Sequence, residues 1–298
     1  MSPAPSSPSA GAPDRRWPIA LSLLSLYLIW GSTYLAIRVA LESWPPFLMA
    51  AARFLVAGGL LYGFLRWRGS AAPTRAQWGN AAVTGTLLLG LGNGLVCYAE
   101  QSVASGLAAV AVASMPLFAA LFGTAYGQRP RRIEWIGLGI GFLGVVLLNL
   151  GGGMTGAPAG AAALVVAAAA WAFGSVWSRG RDMPPAAMNT AAQMLCGGAI
   201  LSLAALIFGE RLPAEPTLPA TLAVVYLIVF GSLIAFTAYL YLLANVRPVL
   251  ATSYAYVNPP VAVLIGAGLA GEAVGLSDLV AMAVILGGVA LITLTRGK

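Results

Sequence analysis

Long apolar stretches, each bounded by charged residues or by Pro and Gly, recur along almost the whole chain. A helix needs about 20 predominantly apolar residues to cross a bilayer. Ten stretches meet this requirement and are predicted to span the membrane, over residues 17–39, 46–65, 78–98, 104–125, 133–150, 159–178, 185–208, 217–242, 248–269 and 277–295. The connections are short, so the chain is predicted to be an all-α polytopic membrane protein without a soluble domain. Residues 1–16, rich in Pro, Ser and Ala, are predicted to be a disordered cytoplasmic tail rather than a signal peptide.

The composition supports this class. Hydrophobic residues make up 59% of the chain and charged residues 8%, whereas about a quarter of a soluble protein is charged. The formal net charge of +7 is typical of charge sorting at a membrane rather than of nucleic-acid binding. The chain has no His, and its two cysteines, Cys97 and Cys196, lie in apolar runs. We therefore expect no metal site, no disulfide and no cofactor.

One glycine pattern resembles a nucleotide-binding motif. Gly139, Gly141 and Gly144 match G-x-G-x-x-G, but that motif binds dinucleotides only where it follows a strand and opens a helix. Here it lies inside a predicted span, where Gly137 with Gly141 favours close packing between membrane helices. With no His and no paired acidic cluster, an intramembrane enzyme is not expected.

The basic residues are distributed unevenly between the two ends of the predicted helices. Arg38 and Arg211 lie at one set of ends, and Arg53 lies within a span. The other thirteen all fall at the opposite ends: Arg15, Arg16, Arg66, Arg68, Arg75, Arg129, Arg131, Arg132, Arg179, Arg181, Arg247, Arg296 and Lys298. Because Lys and Arg remain on the cytoplasmic side, both termini are predicted to be cytoplasmic, with the protein in the plasma (inner) membrane.

Correspondences between residues 17–150 and 159–295 indicate an internal repeat of five helices. The alignment uses offsets of 144, 141 and 139 residues. It pairs Pro116 with Pro260, Gly127 with Gly271, Gly144 with Gly288, Val145 with Val289, Trp30 with Trp171, Arg38 with Arg179, Pro45-Pro46 with Pro184-Pro185 and Gly58-Gly59 with Gly197-Gly198. Because five is odd, the second half must cross the membrane in the opposite sense. Such a 5+5 inverted repeat is typical of carriers with a substrate site near the midplane.

Several motifs, in their order and spacing, resemble those of a known family. They are Trp30-Gly31-Ser32-Thr33-Tyr34, Arg38, Arg53-Phe54, Pro116, Pro260 and Glu272. The chain resembles the drug/metabolite transporter superfamily, in its EamA branch of ten-helix permeases, over roughly residues 17–295, and is most similar to the YddG-type exporters. The resemblance implies export of aromatic and other neutral amino acids. Gln128 stands where the first half of such a permease often has Glu, so a mechanism that needs an acid there does not carry over.

Two predicted helices have an aromatic and polar stripe. Trp30, Tyr34 and Arg38 recur at i, i+4 and i+8, and Trp171, Ser175 and Arg179 repeat this spacing, which places each set on one helix face. Such stripes indicate a water-filled cavity between the halves. The alternative is a belt of interfacial Trp and Tyr with Arg side chains reaching the membrane surface, which is the preferred interpretation for Arg38 and Arg179.

Further candidates for substrate binding lie near helix-interrupting prolines. Tyr254 and Asn258 precede Pro259-Pro260, and Met115 precedes Pro116. A proline lacks an N–H, so a carbonyl in the preceding turn is left available to a polar solute. Alternatively, each proline only kinks its helix. Polar or aromatic candidates on other spans are Asn93, Gln193, Ser232, Phe236 and Tyr239, any of which could instead bond to a neighbouring helix.

Arg53 is a base well inside an apolar span. A charge at this depth is energetically unfavourable, so a functional role is the first hypothesis to consider. It could attract a substrate carboxylate. It could equally pair with Glu42, Glu100 or carbonyl groups and hold two helices together, and this structural interpretation is preferred. Glu272 is predicted to be a charge at the mouth of the protein.

No Asp or Glu lies near the middle of any predicted span. The sequence therefore predicts a monomeric carrier that exports neutral or zwitterionic solutes, with amino acids as the expected substrates, by alternating access and as a facilitator. Two alternatives stay open. One is a proton-coupled drug or metabolite exporter of broad specificity, in which an acid such as Glu272 shuttles protons. The other is a membrane sensor or scaffold without flux.

Overall fold

The computed structural model describes residues 16–103, 108, 111–149, 158–211, 214–270 and 275–294. Within these ranges all regular structure is helical. A single helical turn, Pro248–Ala251, precedes α9. The helices are α1 Arg16–Leu41, α2 Pro46–Trp67, α3 Arg75–Ala99, α4 Met115–Ala125, α5 Arg132–Asn149, α6 Pro158–Trp177, α7 Ala186–Ile207, α8 Leu218–Asn245, α9 Tyr254–Ala270 and α10 Leu276–Leu294.

Six of these helices are long and apolar enough to cross a membrane: α1, α2, α3, α6, α7 and α8. The other four overlap the remaining predicted spans, and their crossing of the membrane stays a prediction. The outer surface carries many large apolar side chains, among them Leu60, Leu206 and Ile207, which are 61%, 76% and 73% exposed. An apolar surface of this extent is typical of a protein surrounded by lipid.

Two predicted spans are each interrupted by a turn. The span 104–125, where the structure describes it, turns at Ala113–Ser114, and the span 248–269 turns at Thr252–Ser253. Ser114 donates a side-chain hydrogen bond to the carbonyl of Ala111, and Ser253 donates one to that of Leu250. In each case the serine hydroxyl competes with the backbone N–H groups of the helix for the same carbonyl oxygen, which favours an interruption of the helix at these turns.

The two prolines predicted to break helices behave differently. Pro116 is the second residue of α4, directly after a turn, where a missing N–H is tolerated. Pro260 lies inside α9, which continues through Pro259 and Pro260. The predicted break at Pro260 is therefore corrected: inside a packed bundle a helix can lose single N–H donors and still continue.

Local signals define several helix ends. Thr74 caps α3 in a reciprocal bond pattern with Gln77, in which each side chain accepts from the other residue's backbone N–H. At the end of α2, Gly69 has a φ of 82°, and the N–H of Ser70 donates to the carbonyl of Leu65 at 2.9 Å. A glycine in the left-handed region allows this closing bond.

The helix contacts repeat between the two halves. α2 packs along α7, and α5 packs along α10. α1 packs against α8 and α9, and α6, its counterpart, packs against α3 and α4. Since α8 and α9 are the counterparts of α3 and α4, the first helix of each half contacts equivalent helices of the other half. Two similar five-helix units are expected to pack in this way.

Glycines allow the closest of these contacts. A Cβ at Gly137 of α5 would lie 2.9 Å from the carbonyl oxygen of Gly288 on α10, and one at Gly144 would lie 2.8 Å from the N atom of Ile285. Gly139 has open space beside it. A Cβ at Gly141 would lie 2.8 Å from the Tyr256 ring, so the packing role predicted for Gly137 with Gly141 is confirmed.

Polar contacts fasten both ends of the bundle. At the end rich in arginine, termed the basic end, Arg247 forms an ion pair with Glu134, the buried acid at the start of α5. At the other end, termed the opposite end, the carboxylate of Glu210 accepts from the N–H groups of Phe47 and Leu48, at 3.3 and 2.7 Å. An acid is favourable at this position because the N-terminus of α2 carries the positive end of the helix dipole.

Candidate functional site

A cavity lies between α1, α3, α4, α6 and α9, and the side chain of Arg53 reaches it from α2. It offers about 60 Å³ to the centres of water-sized molecules, enough for several waters. The cavity is lined by Trp30, Thr33, Tyr34, Ile37, Arg53, Gly92, Asn93, Val96, Val112, Met115, Ala167, Ala168, Trp171, Tyr254 and Asn258.

An aromatic cluster forms one wall. The ring of Trp30 lies 5.5 Å from that of Trp171, 5.3 Å from that of Tyr239 and 4.6 Å from that of Tyr254, measured between centroids. The Trp171 and Tyr254 contacts are edge-on, an arrangement that aromatic quadrupoles favour. Four helices, α1, α6, α8 and α9, therefore meet at Trp30.

Hydrogen bonds hold these rings in place. The indole N–H of Trp30 donates to the carbonyl of Gly231 at 3.0 Å. The hydroxyls of Ser175 and Tyr239 are 2.6 Å apart, and that of Tyr254 donates to the sulfur of Met115 at 3.3 Å. Each bond joins two helices, so the wall is assembled from both halves of the chain.

Polar groups complete the lining. Among the described residues, the buried Oδ1 atom of Asn258 and the buried Nη1 atom of Arg53 have no hydrogen-bond partner. The Oδ1 atom of Asn93 accepts from the sulfur of Cys97 at 3.6 Å. Apart from Arg53, the lining residues have no formal charge.

Seven of the residues predicted to bind substrate line this cavity: Trp30, Tyr34, Asn93, Met115, Trp171, Tyr254 and Asn258. Ser175 and Tyr239 are buried behind the aromatic wall and bond to each other. Gln193 lies elsewhere: its amide donates to Asn189 at 3.0 Å, and its backbone packs against Gly85 of α3.

The predicted end charges lie away from the cavity. Arg38 is exposed near the opposite end of α1. Arg179 follows α6 and lines a separate pocket at the basic end, with about 250 Å³ open to the centres of water-sized molecules. Burial lowers the pKa of Arg179, and neighbouring Arg247 lowers it further. Glu272 lies outside the described residues.

Three stretches of π-helix contribute to the site, and the sequence did not predict them. They are Leu26–Trp30 in α1, Thr86–Asn93 in α3 and Leu227–Phe236 in α8. They supply Trp30, Gly92, Asn93, Gly231 and Ser232. Wide turns of this kind are rare and often occur at functional sites.

Small and apolar residues also line the cavity without having been predicted. Ala167 lies four residues before Trp171, and Val96 lies three residues after Asn93. Both therefore share a helix face with a predicted residue, and extending each predicted face by one turn would have found them. Gly92 has a steric role, because a Cβ there would lie 2.6 Å from the Trp171 ring.

A polytopic helical bundle with an internal cavity between two similar halves is the architecture of a membrane carrier. Comparison with known proteins agrees with this class. The EamA-like transporter family matches residues 17–150 and again residues 158–294, and the chain belongs to this family of membrane transporters.

Individual relatives match along most of the chain. It is 49% identical to "Uncharacterized inner membrane transporter YedA" of Escherichia coli strain K12, over 94% of this chain and 92% of that protein. It is 27% identical to "Uncharacterized transporter YdfC" of Bacillus subtilis strain 168, over 91% and 89% of the two chains. A solved crystal structure superposes with a TM-score of 0.76 at 24% identity, covering 94% of this chain and 99% of that one, and supports the fold alone.

Proposed function

We propose that this protein exports small neutral or zwitterionic solutes, with aromatic and other neutral amino acids as substrates, by alternating access and as a facilitator. The observation that carries the proposal is the cavity between the halves, with its aromatic wall around Trp30 and its unpartnered polar atoms on Arg53 and Asn258. Aromatic rings suit an apolar side chain, while a few buried polar groups fix the orientation of the solute.

The proposal includes the membrane topology. All ten helices would cross the membrane, with the second five inverted relative to the first and both termini in the cytoplasm. Three observations support it: the exchange of equivalent helix contacts, the concentration of Arg at the basic end, and the repeated family match. The name of the YedA relative supports an inner-membrane location. A monomer suffices, because one chain supplies both walls of the cavity.

Counterflow into liposomes tests the proposal. Purified protein would be reconstituted, and uptake of labelled L-phenylalanine and L-leucine measured with and without an imposed pH gradient. We expect saturable uptake that the gradient leaves unchanged. Trp171→Ala should remove most of it, whereas Trp67→Ala should not, since Trp67 is 80% exposed at the end of α2. Liposomes that take up no amino acid under either condition would contradict the assignment.

A second function has one observation in its favour. Both carboxyl oxygens of Glu100, directly after α3, are buried without partners, and a buried acid of this kind can exchange protons during transport. A proton-coupled exporter of broad specificity would show uptake driven by the pH gradient. It would also show competition by cationic drugs, which the facilitator should not.

A further inference from the structure

Arg53 is the one residue of α2 that reaches the cavity among the described lining residues. Its side chain is 3% exposed, and it extends from the eighth residue of α2 towards α8. A cation at this depth is expensive unless an anion or several acceptors compensate it.

Two contacts fix one side of the guanidinium group. Its Nε atom donates to the hydroxyl of Ser232 at 2.7 Å, and its Cζ atom lies 4.7 Å from the ring centroid of Phe54. The backbone of α8 adjoins it as well: a Cβ at Gly231 would lie 2.8 Å from its Nη2 atom. The guanidinium is therefore positioned before any solute arrives.

The other side of the group is unused. The Nη1 atom is buried and has no hydrogen-bond partner, and within the described part of the chain Arg53 forms no ion pair with an acid. The structural role considered from the sequence is thus partly present, through Ser232, but it leaves the charge without a counter-ion among the described residues. A fixed guanidinium with a free N–H group is suited to bind a carboxylate.

The cavity also offers a free acceptor. The Oδ1 atom of Asn258, on α9, is buried without a partner. A solute with a carboxylate at one position and an N–H donor at another would satisfy both groups, and leaving either unsatisfied is unfavourable in a buried site.

We propose that Arg53 binds the carboxylate of the transported solute, and that Asn258 accepts a hydrogen bond from its amino group. This inference rests on the proposed function and narrows it to solutes with a carboxylate. Ser232 and Gly231 are positioning residues, because they act through the guanidinium.

Four compounds that share one ring test the inference. Inhibition of labelled L-phenylalanine counterflow would be measured for L-phenylalanine, L-phenylalaninamide, 3-phenylpropionate and 2-phenylethylamine. L-phenylalanine and 3-phenylpropionate have a carboxylate, whereas L-phenylalaninamide and 2-phenylethylamine do not. In the wild type we expect the first two compounds to inhibit at concentrations roughly tenfold or more below those of the other two, given the strength of a charged hydrogen bond. Arg53→Gln should remove this preference. The Asn258→Ala variant should keep the preference for carboxylates, but it should bind L-phenylalanine no better than 3-phenylpropionate, which has no amino group.

Thermal unfolding with each compound provides a readout independent of transport. The carboxylates should raise the unfolding temperature of the wild type, and Arg53→Gln should abolish the rise. If Arg53→Gln does not fold, Ser232→Ala leaves the charge present but unanchored and should weaken the carboxylate preference.

The outcomes separate the two proposals. Equal binding of L-phenylalanine and its amide by the wild type, or an unchanged preference in Arg53→Gln, would overturn the role of Arg53 while the carrier stands. Liposomes that take up no L-phenylalanine would remove the amino-acid assignment. If, without such uptake, 3-phenylpropionate still raised the unfolding temperature of the wild type but not that of Arg53→Gln, the carboxylate site at Arg53 would be supported even though amino acids are not the substrates.

Discussion

The indole N–H of Trp30 donates a buried hydrogen bond to the backbone carbonyl of Gly231, 3.0 Å away. Trp30 ends the π-helical stretch of α1, and Gly231 lies within that of α8. The next residue, Ser232, accepts from Arg53 of α2. Two consecutive residues of α8 thus bind α1 and α2. A movement of any of these three helices should therefore displace both the aromatic wall and the guanidinium group.

Replacing Trp30 with Phe tests this link. The change keeps an aromatic ring but removes the N–H group that bonds to Gly231, and the net loss of one buried hydrogen bond costs about 0.5–1.5 kcal/mol. We expect a lower unfolding temperature for the purified protein in detergent, together with reduced L-phenylalanine counterflow. Trp17→Phe is the control, because Trp17 is 72% exposed. Equal decreases in the unfolding temperature of both variants would show that the bond from Trp30 to Gly231 does not stabilise the protein measurably.

A methyl group at Gly231 should disturb the same junction. A Cβ there would lie 2.8 Å from the Nη2 atom of Arg53 and 3.2 Å from the Cγ2 atom of Thr33, so the guanidinium must shift. We expect Gly231→Ala to weaken counterflow and lose part of the preference for carboxylates. Gly63→Ala is the matched control, since Gly63 has open space beside it. It should be neutral or stabilising by about 0.5–1 kcal/mol, through the higher helix propensity of Ala. An unaltered carboxylate preference in Gly231→Ala would argue against this positioning of Arg53.

Part of this arrangement was accessible from the sequence. Trp30 and Tyr34 are one regular turn apart, so their shared face could be predicted, and both line the cavity. The same line continued to Arg38, but that side chain is exposed beyond the cavity. Spacing defines the face of a helix, whereas the depth at which a cavity ends depends on the neighbouring helices.

Other parts were not accessible. The stretch Leu227–Phe236 is apolar almost throughout, so its pattern gives no sign of wide π turns or of the carbonyl that Trp30 uses. Gln193 illustrates a second limit, because a lone polar residue in an apolar helix does not reveal which neighbour it meets. Its position against α3 follows from the glycine contact at Gly85, a tertiary property.

Ser175 and Tyr239 should behave as a coupled pair. Their hydroxyls are 2.6 Å apart, and that of Ser175 donates to the carbonyl of Trp171, also at 2.6 Å. Tyr239 therefore donates to Ser175, and the three groups form a chain in which each bond strengthens the next. Ser175→Ala and Tyr239→Phe should each lower the free energy of unfolding by about 1 kcal/mol.

The double variant decides whether the pair is coupled. It should lose clearly less than the sum of the two single losses, because both remove the same bond. The unfolding temperatures of the four proteins, measured in one detergent, give the comparison. Strict additivity would mean that the two hydroxyls act independently.

Glu100 should make the stability of this conformation depend on pH. Burial raises the pKa of its carboxyl group well above the ordinary value of 4.5, and the charge of Arg38 opposes the rise. Tyr34, from α1, and Cys97, from the preceding turn of α3, also face this carboxyl. The folded protein therefore binds the proton more tightly than the unfolded chain does. The stabilisation is complete below the unfolded pKa and is lost as the pH rises through the folded pKa.

The unfolding temperature of the wild type should thus fall as the pH rises above 4.5, the ordinary pKa of the carboxyl group, until the folded carboxyl has ionised. Glu100→Gln cannot ionise at this position, so it should be more stable than the wild type at the upper end and show a flatter profile. Glu215→Gln, which alters an exposed acid between α7 and α8, should follow the wild type. Parallel profiles for all three proteins would exclude Glu100 as the titrating group. If uptake responds to a pH gradient in the wild type but not in Glu100→Gln, the same carboxyl couples protons to transport, and the facilitator mechanism is replaced by exchange.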